Sequence, residues 1–175
     1  MKKIILITGG QRSGKSMMAE RMALSMSPNP VYLATAHAWD EEFKQRIARH
    51  QERRGPCWTN IEEEKTLSRH SLYNKVVVVD CITLWCTNFF YDASNGLDKL
   101  PDVDKTLEML QTEFDKLTNQ EATFIFVTNE IGSGGVSNSA LQRRFTDLQG
   151  WMNQYVAAKA DEVYLMVSGI PVKIK

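Results

Sequence analysis

Apolar and polar positions alternate along the chain in two rhythms. Short continuous apolar runs stand at Ile4-Ile5-Leu6-Ile7, Val31-Tyr32-Leu33-Ala34-Thr35, Val76-Val77-Val78-Val79 and Thr123-Phe124-Ile125-Phe126-Val127-Thr128. Each reads as a strand, and the β-branched valine run is what a central strand buried on both faces looks like. Between them the spacing changes to that of helices. Met17 to Met22 are good helix formers, and Ser27-Pro28-Asn29-Pro30 stops that segment. Asp40 caps a helix predicted to run to about Arg54, with Phe43, Ile47, His50 and Arg54 on one stripe. Leu84, Trp85, Asn88 and Phe89 suggest another, followed by a loop from Ala93 to Pro101 that turns at Asn95-Gly96. Asp102 caps an amphipathic helix carrying Val103, Leu107, Leu110, Phe114 and Leu117. Leu141, Phe145, Leu148, Met152 and Tyr155 mark the last long helix.

Two stretches are less regular. Residues 57–75 show little pattern; Trp58 and Ile61 read as anchors, and a short helix is expected around Thr66 to Leu72. Asn129-Glu130-Ile131-Gly132-Ser133-Gly134-Gly135 reads as a mobile loop. At the end, Val163 to Val167 and Val172 to Ile174 look like strands joined at Ser168-Gly169-Ile170-Pro171. So short a link implies a hairpin, adding an antiparallel strand to an otherwise parallel sheet. Strands alternating with helices make this an α/β fold. Without repeat, linker or low-complexity tract, residues 1–175 read as a single domain.

Composition narrows the function classes. The chain has 175 residues, 43% of them hydrophobic, enough for one α/β core. Lys+Arg and Asp+Glu both number 21, so overall charge favours neither nucleic acid nor an anionic membrane. Three cysteines, Cys57, Cys81 and Cys86, lack a C-x-x-C spacing and read as reduced thiols of a cytoplasmic protein. The apolar run after Lys2-Lys3 is too short for a signal peptide, and no segment reaches membrane-spanning length.

The chemistry starts at Gly9-Gly10-Gln11-Arg12-Ser13-Gly14-Lys15-Ser16, which fits G-x-x-x-x-G-K-[ST] between a strand and a helix. Such a phosphate-cradling loop (P-loop) points backbone N–H groups at phosphate oxygens. Lys15 would place a charge on the β- and γ-phosphates, Ser16 would offer a hydroxyl to Mg2+, and the following helix adds its dipole. The chain is therefore expected to bind a nucleoside triphosphate. Asp80 ends the valine run, where such proteins keep the acid that organises Mg2+; the competing reading is a cap for the next helix. Asn129 and Glu130 lie beyond another strand end, and either face the same cleft or cap the next helix. Arg143 and Arg144 are either surface residues or a phosphate clamp. His50 shares its stripe with apolar residues and has Arg46, Arg49 and Arg53 on adjoining positions. It reads either as a packed core histidine or as a neutral imidazole nucleophile among cations.

GGQRSGKS, VYLATA, RIARHQERR, VVVDCITLW with TNFF, FVTNEIG and ADEVYLMVSGIPVKIK together span nearly the whole chain. In this order they resemble the bifunctional adenosylcobinamide kinase/adenosylcobinamide-phosphate guanylyltransferases. The resemblance implies a P-loop, RecA-like fold and a homo-oligomer, a trimer. It implies phosphorylation of the aminopropanol hydroxyl of adenosylcobinamide, a corrinoid, then transfer of GMP from GTP to that phosphate through a guanylyl-histidine. His50 would be the guanylylated nucleophile. Gly9 through Ser16 would hold triphosphate, with Ala34, Thr35 and Ala36 lining the nucleotide site. Gln51, Glu52, Arg53, Arg54 and Glu62 would contact the guanosine nucleotide, and Asp80 would sit at the magnesium position. GTP, ATP and Mg2+ are the implied cofactors; nucleic acid and membrane are not expected partners. Two rival readings are a simple P-loop kinase for a nucleoside or small alcohol, in which His50 is structural, and a RecA-like ATPase module.

Overall fold

The computed structural model describes residues 2–37 and 54–175. The helix expected from Asp40, and with it His50, Gln51, Glu52 and Arg53, lies outside the described residues apart from its last position, Arg54.

Seven strands form one sheet in the order β3-β2-β4-β5-β1-β6-β7: β1 (Lys3–Gly9), β2 (Val31–Ala34), β3 (Thr59–Glu62), β4 (Val76–Asp80), β5 (Thr123–Val127), β6 (Glu162–Val167) and β7 (Ile170–Lys173). All neighbours are parallel except β6 and β7, which run antiparallel as the closing hairpin requires. Four α-helices are described: α1 (Lys15–Met26), α2 (Ile82–Ala93), α3 (Val103–Thr118) and α4 (Ala140–Lys159).

The apolar runs are continuous because the sheet is covered on both faces. Ile4, Leu6, Val77, Val79, Phe124 and Phe126 point one way, into a core completed by Trp85 and Phe90 of α2, Leu110 and Phe114 of α3, and Leu148 and Met152 of α4. Ile5, Ile7, Val78, Ile125 and Val127 point the other way, against Ala19 and Ala23 of α1. Burying each such side chain is worth about 1.5–3 kcal/mol, so the sheet's two faces supply most of what orders the chain. Asp102 caps α3 as expected, its carboxylate accepting from Lys105 N at 3.1 Å.

Three local expectations are corrected. β3 was not foreseen, because its four residues are mostly exposed and only Ile61 turns toward the core. It is an edge strand held by the backbone, continued at its ends by Thr59 N to Pro30 O and Glu63 N to Ala34 O. The helix expected near Thr66 to Leu72 is only a 3-10 turn, Leu67–Arg69. There, side chains of and just after α3 take backbone N–H groups that a helix would use: Ser68 N donates to Glu113 and Leu72 N to Gln120. The final hairpin is tighter than predicted. Its link is Ser168-Gly169 alone, with φ 51° and 86°, and Val167 pairs with Ile170. Two successive residues at positive φ match the right-handed twist of the strands they join, and Pro171 is tolerated because β7 is an edge.

Candidate active site

β1 delivers the chain into the P-loop, and the backbone there needs its glycines. A Cβ on Gly9 (φ 148°) would stand 2.6 Å from Met166 O and 2.9 Å from Ser13 Oγ; Gly14, at φ 96°, opens α1. Lys15, 7% exposed, folds back so that Nζ donates to Gly10 O at 2.6 Å. Burial lowers the Lys15 pKa, and the neighbouring Cys81 and Asp80 work against that shift. Ser13 Oγ is buried and has no hydrogen-bond partner among the described residues. A buried hydroxyl and a buried ammonium in one glycine loop are paired groups once phosphate oxygens are supplied.

Beside the loop lies a cleft of about 710 Å3, within the size range of sites for nucleotide-sized ligands. Its far wall is built on β2 and β4. The Tyr32 hydroxyl donates to Asp80 Oδ2 at 2.6 Å, and the Tyr32 ring meets Trp58 edge-on at 5.9 Å. Burial, and then the Asp80 charge and hydrogen bond, push the Tyr32 pKa well above 10.0. Arg54 lies over the face of the same ring, its guanidinium 3.6 Å from the centroid, while Nε donates to Asn60 Oδ1 at 2.9 Å. Its Nη1 is buried and has no hydrogen-bond partner among the described residues. An arginine stacked on tyrosine, with an unpaired donor at a cleft wall, suits an anionic ligand. Asp80 does not cap α2. Cys81 does, its thiol accepting from Leu84 N and pushed up to about 12 by burial and the Asp80 charge.

Polar side chains fasten the cleft's third side. Asn129 N donates to Thr83 Oγ1 at 2.9 Å, and Asn129 O accepts from Gln149 and Asn153. Glu130 N donates to Gly9 O at 3.1 Å, and Glu130 Oε1 accepts from Thr8 Oγ1 at 2.9 Å and Asn153 Nδ2 at 3.2 Å. The start of the loop expected to be mobile is therefore tied to β1, α2 and α4. Ser139, not Asn129 or Glu130, caps α4.

The family model for cobinamide kinase / cobinamide phosphate guanyltransferase matches residues 5–174. The bifunctional adenosylcobalamin biosynthesis protein CobU of Escherichia coli is 39% identical, over 98% of this chain and 99% of its own length. CobP of Pseudomonas aeruginosa, of the same description, is 37% identical over 97% and 96%. The chain belongs to the cobinamide kinase / cobinamide phosphate guanyltransferase family. Among solved structures, the fold resembles that of the flagellar accessory protein FlaH from Methanocaldococcus jannaschii (TM-score 0.51, 14% identity, covering 99% of this chain and 78% of that one). It also resembles a type III secretion ATPase (TM-score 0.54, 13% identity, 95% and 51%). At such identities the likeness is one of fold, the P-loop, RecA-like sheet.

For a member of this family the residues singled out in the sequence are placed as follows. Gln11, Arg12, Ser13, Gly14, Lys15, Ser16, Ala34, Ala36, Arg54 and Asp80 line the cleft, and Gly9 and Gly10 shape the loop beneath. Thr35 turns inward: it is fully buried, and its hydroxyl is spent on Cys81 O and Cys81 N. Glu62, at the end of edge strand β3, is not among the described lining residues. His50, Gln51, Glu52 and Arg53 lie outside the described residues. Arg143 and Arg144 are not at the cleft; they donate to the carbonyls of Ser137, Asn138 and Pro101 and tie loops to α4. Sequence reasoning missed the Arg54–Tyr32 stack and the Thr8–Glu130–Asn153 bonds, since both join residues remote in the chain.

Proposed function

We propose that this chain phosphorylates the aminopropanol hydroxyl of adenosylcobinamide with a nucleoside triphosphate, ATP or GTP, and then transfers GMP from GTP to the product through His50. The carrying observation is the cleft itself, in which the buried Lys15, the Ser13 Oγ left without a partner among the described residues, and the Tyr32-anchored Asp80 converge in a chain of this family. Lys15 and the loop's N–H groups hold the phosphates. Phosphoryl transfer asks little covalent chemistry of the protein and much positioning.

Ser16 and Asp80 would hold Mg2+, which neutralises charge on the transferring phosphates when bound. The donor set fits: a hydroxyl and one carboxylate, with the remaining positions left to phosphate oxygens and water, is how magnesium is usually held. Arg54 would meet the guanosine nucleotide, with Gln51, Glu52, Arg53 and Glu62 alongside it, by resemblance; its stack on Tyr32 at the cleft wall supports that reading. Residues 1–175 would act as one unit in the cytoplasm, as the unbroken pattern and the spacing of the three cysteines suggest, and as a homotrimer by the same resemblance. No helix among the described residues is long and apolar enough to cross a membrane.

The test is covalent labelling. Protein incubated with α-phosphate-labelled GTP should retain label after denaturation, and protein given cobinamide with ATP should yield cobinamide phosphate. A chain that makes the phosphate but takes up no label would be a kinase only.

A further inference from the structure

We infer that Glu130 is the catalytic base of the kinase step, taking the proton from the acceptor hydroxyl; this rests on the kinase reading above. Among the described residues lining the cleft, only Asp80 and Glu130 carry carboxylates. They stand on either side of the end of β5, Asp80 on β4 and Glu130 beside β1. Asp80 has its Oδ2 committed to the Tyr32 hydroxyl and occupies the strand end next to Lys15. That suits it to the metal and phosphate side.

Glu130 is held differently. Its backbone N–H is fixed to Gly9 O, at the first glycine of the phosphate loop, and its Oε1 accepts from both Thr8 and Asn153. The side chain therefore has one anchored oxygen, while Oε2 makes no hydrogen bond among the described residues. Thr8 and Asn153 are both buried, and Asn153 also takes the Thr128 hydroxyl and donates to Asn129 O. A loop glutamate needs no such support merely to meet solvent. A carboxylate with one oxygen fixed and one free at a phosphate site is arranged to receive a proton at a defined place.

The step balances without a further reagent. The acceptor hydroxyl oxygen forms a bond to the γ-phosphorus as its proton passes to Glu130 Oε2. The bond from the γ-phosphorus to the β,γ-bridging oxygen breaks, and the nucleoside diphosphate leaves with that electron pair. In-line attack then has the base on the acceptor side and Lys15 on the phosphate side.

Two variants separate a base from a pin. Glu130→Gln keeps an oxygen to accept from Thr8 and Asn153 but replaces the free carboxylate oxygen with an amide. Glu130→Ala removes both. With cobinamide and ATP, both variants should lose about 10²- to 10⁴-fold in kcat, the usual contribution of a general base. Glu130→Gln should keep the wild-type melting temperature and nucleotide dissociation constant. If Glu130→Gln turns over at the wild-type rate while Glu130→Ala is slow, the carboxylate only pins the loop and the inference is overturned. Full kcat for Glu130→Gln with a raised Mg2+ requirement also overturns it, in favour of a metal role. A wild-type protein that makes no cobinamide phosphate defeats the kinase reading itself, a result distinguishable from either.

Discussion

The Tyr32 hydroxyl donates to Asp80 Oδ2 across adjacent parallel strands, where Tyr32 pairs with Val78 and Ala34 with Asp80. The bond fixes the carboxylate proposed to organise magnesium, and the same tyrosine ring carries Arg54 on its face. Tyr32→Phe keeps the ring and removes only the donor. Partners that orient a metal-ligating group typically matter 10- to 100-fold in metal affinity. The Mg2+ concentration for half-maximal kinase rate should therefore rise about 10-fold, with a smaller change in kcat at saturating metal. A magnesium titration coinciding with wild type would show that Asp80 needs no such support or that the metal is organised elsewhere.

Lys15 is buried in the loop it serves, with its ammonium on Gly10 O. Lys15→Ala removes the charge aimed at the transferring phosphates. The kinase rate should fall about 10²- to 10³-fold, as for loss of one preorganised electrostatic contact, with circular dichroism unchanged. Near wild-type phosphorylation by the folded variant would displace the site from this loop.

Much of this was legible in the sequence, for physical reasons that also explain what was not. The valine run and Phe124 to Val127 announce buried parallel strands because both faces are covered, and the P-loop announces itself because its backbone geometry demands glycine at fixed places. Local caps such as Asp102 are equally visible. β3 was hidden because its exposed, polar residues are held by backbone pairing alone. Arg143 and Arg144 could not be assigned from the chain, since their partners are carbonyls of two different loops. Thr35 fell within a stretch read as lining the site, but its hydroxyl closes β2 onto the turn after β4.

Acid should loosen the closing hairpin selectively. Glu162 binds Lys3 of β1, Lys173 of β7 and the Tyr164 hydroxyl, and these partners, Lys3 foremost, hold its pKa down to about 2. A carboxylate depressed in the fold contributes stability above its ordinary value of 4.5, which is lost as pH falls toward about 2. Glu162→Gln should thus melt slightly below wild type at pH 7, by less than about 1 kcal/mol in stability, as for a partly exposed ion pair. The two curves should converge between pH 4.5 and about 2. A gap that persists at the lowest pH would assign the effect to packing rather than charge.

His50 separates the two chemistries proposed for this chain. If it is the guanylyl acceptor, His50→Ala removes the only atom that carries GMP and leaves the P-loop, Lys15 and Asp80 in place. The variant should still phosphorylate cobinamide, because that step depends on phosphate positioning and on Glu130 rather than on a histidine nucleophile. It should form no covalent GMP adduct, and cobinamide phosphate should accumulate. The wild-type adduct, a P–N bond, should survive alkali and be lost in acid. A packed core histidine predicts otherwise: emptying its site would lower the melting temperature and depress both activities together. One assay of the two steps beside a thermal melt shows which holds. Adduct formation by His50→Ala at the wild-type extent would move the nucleophile to another residue while leaving the kinase site as described.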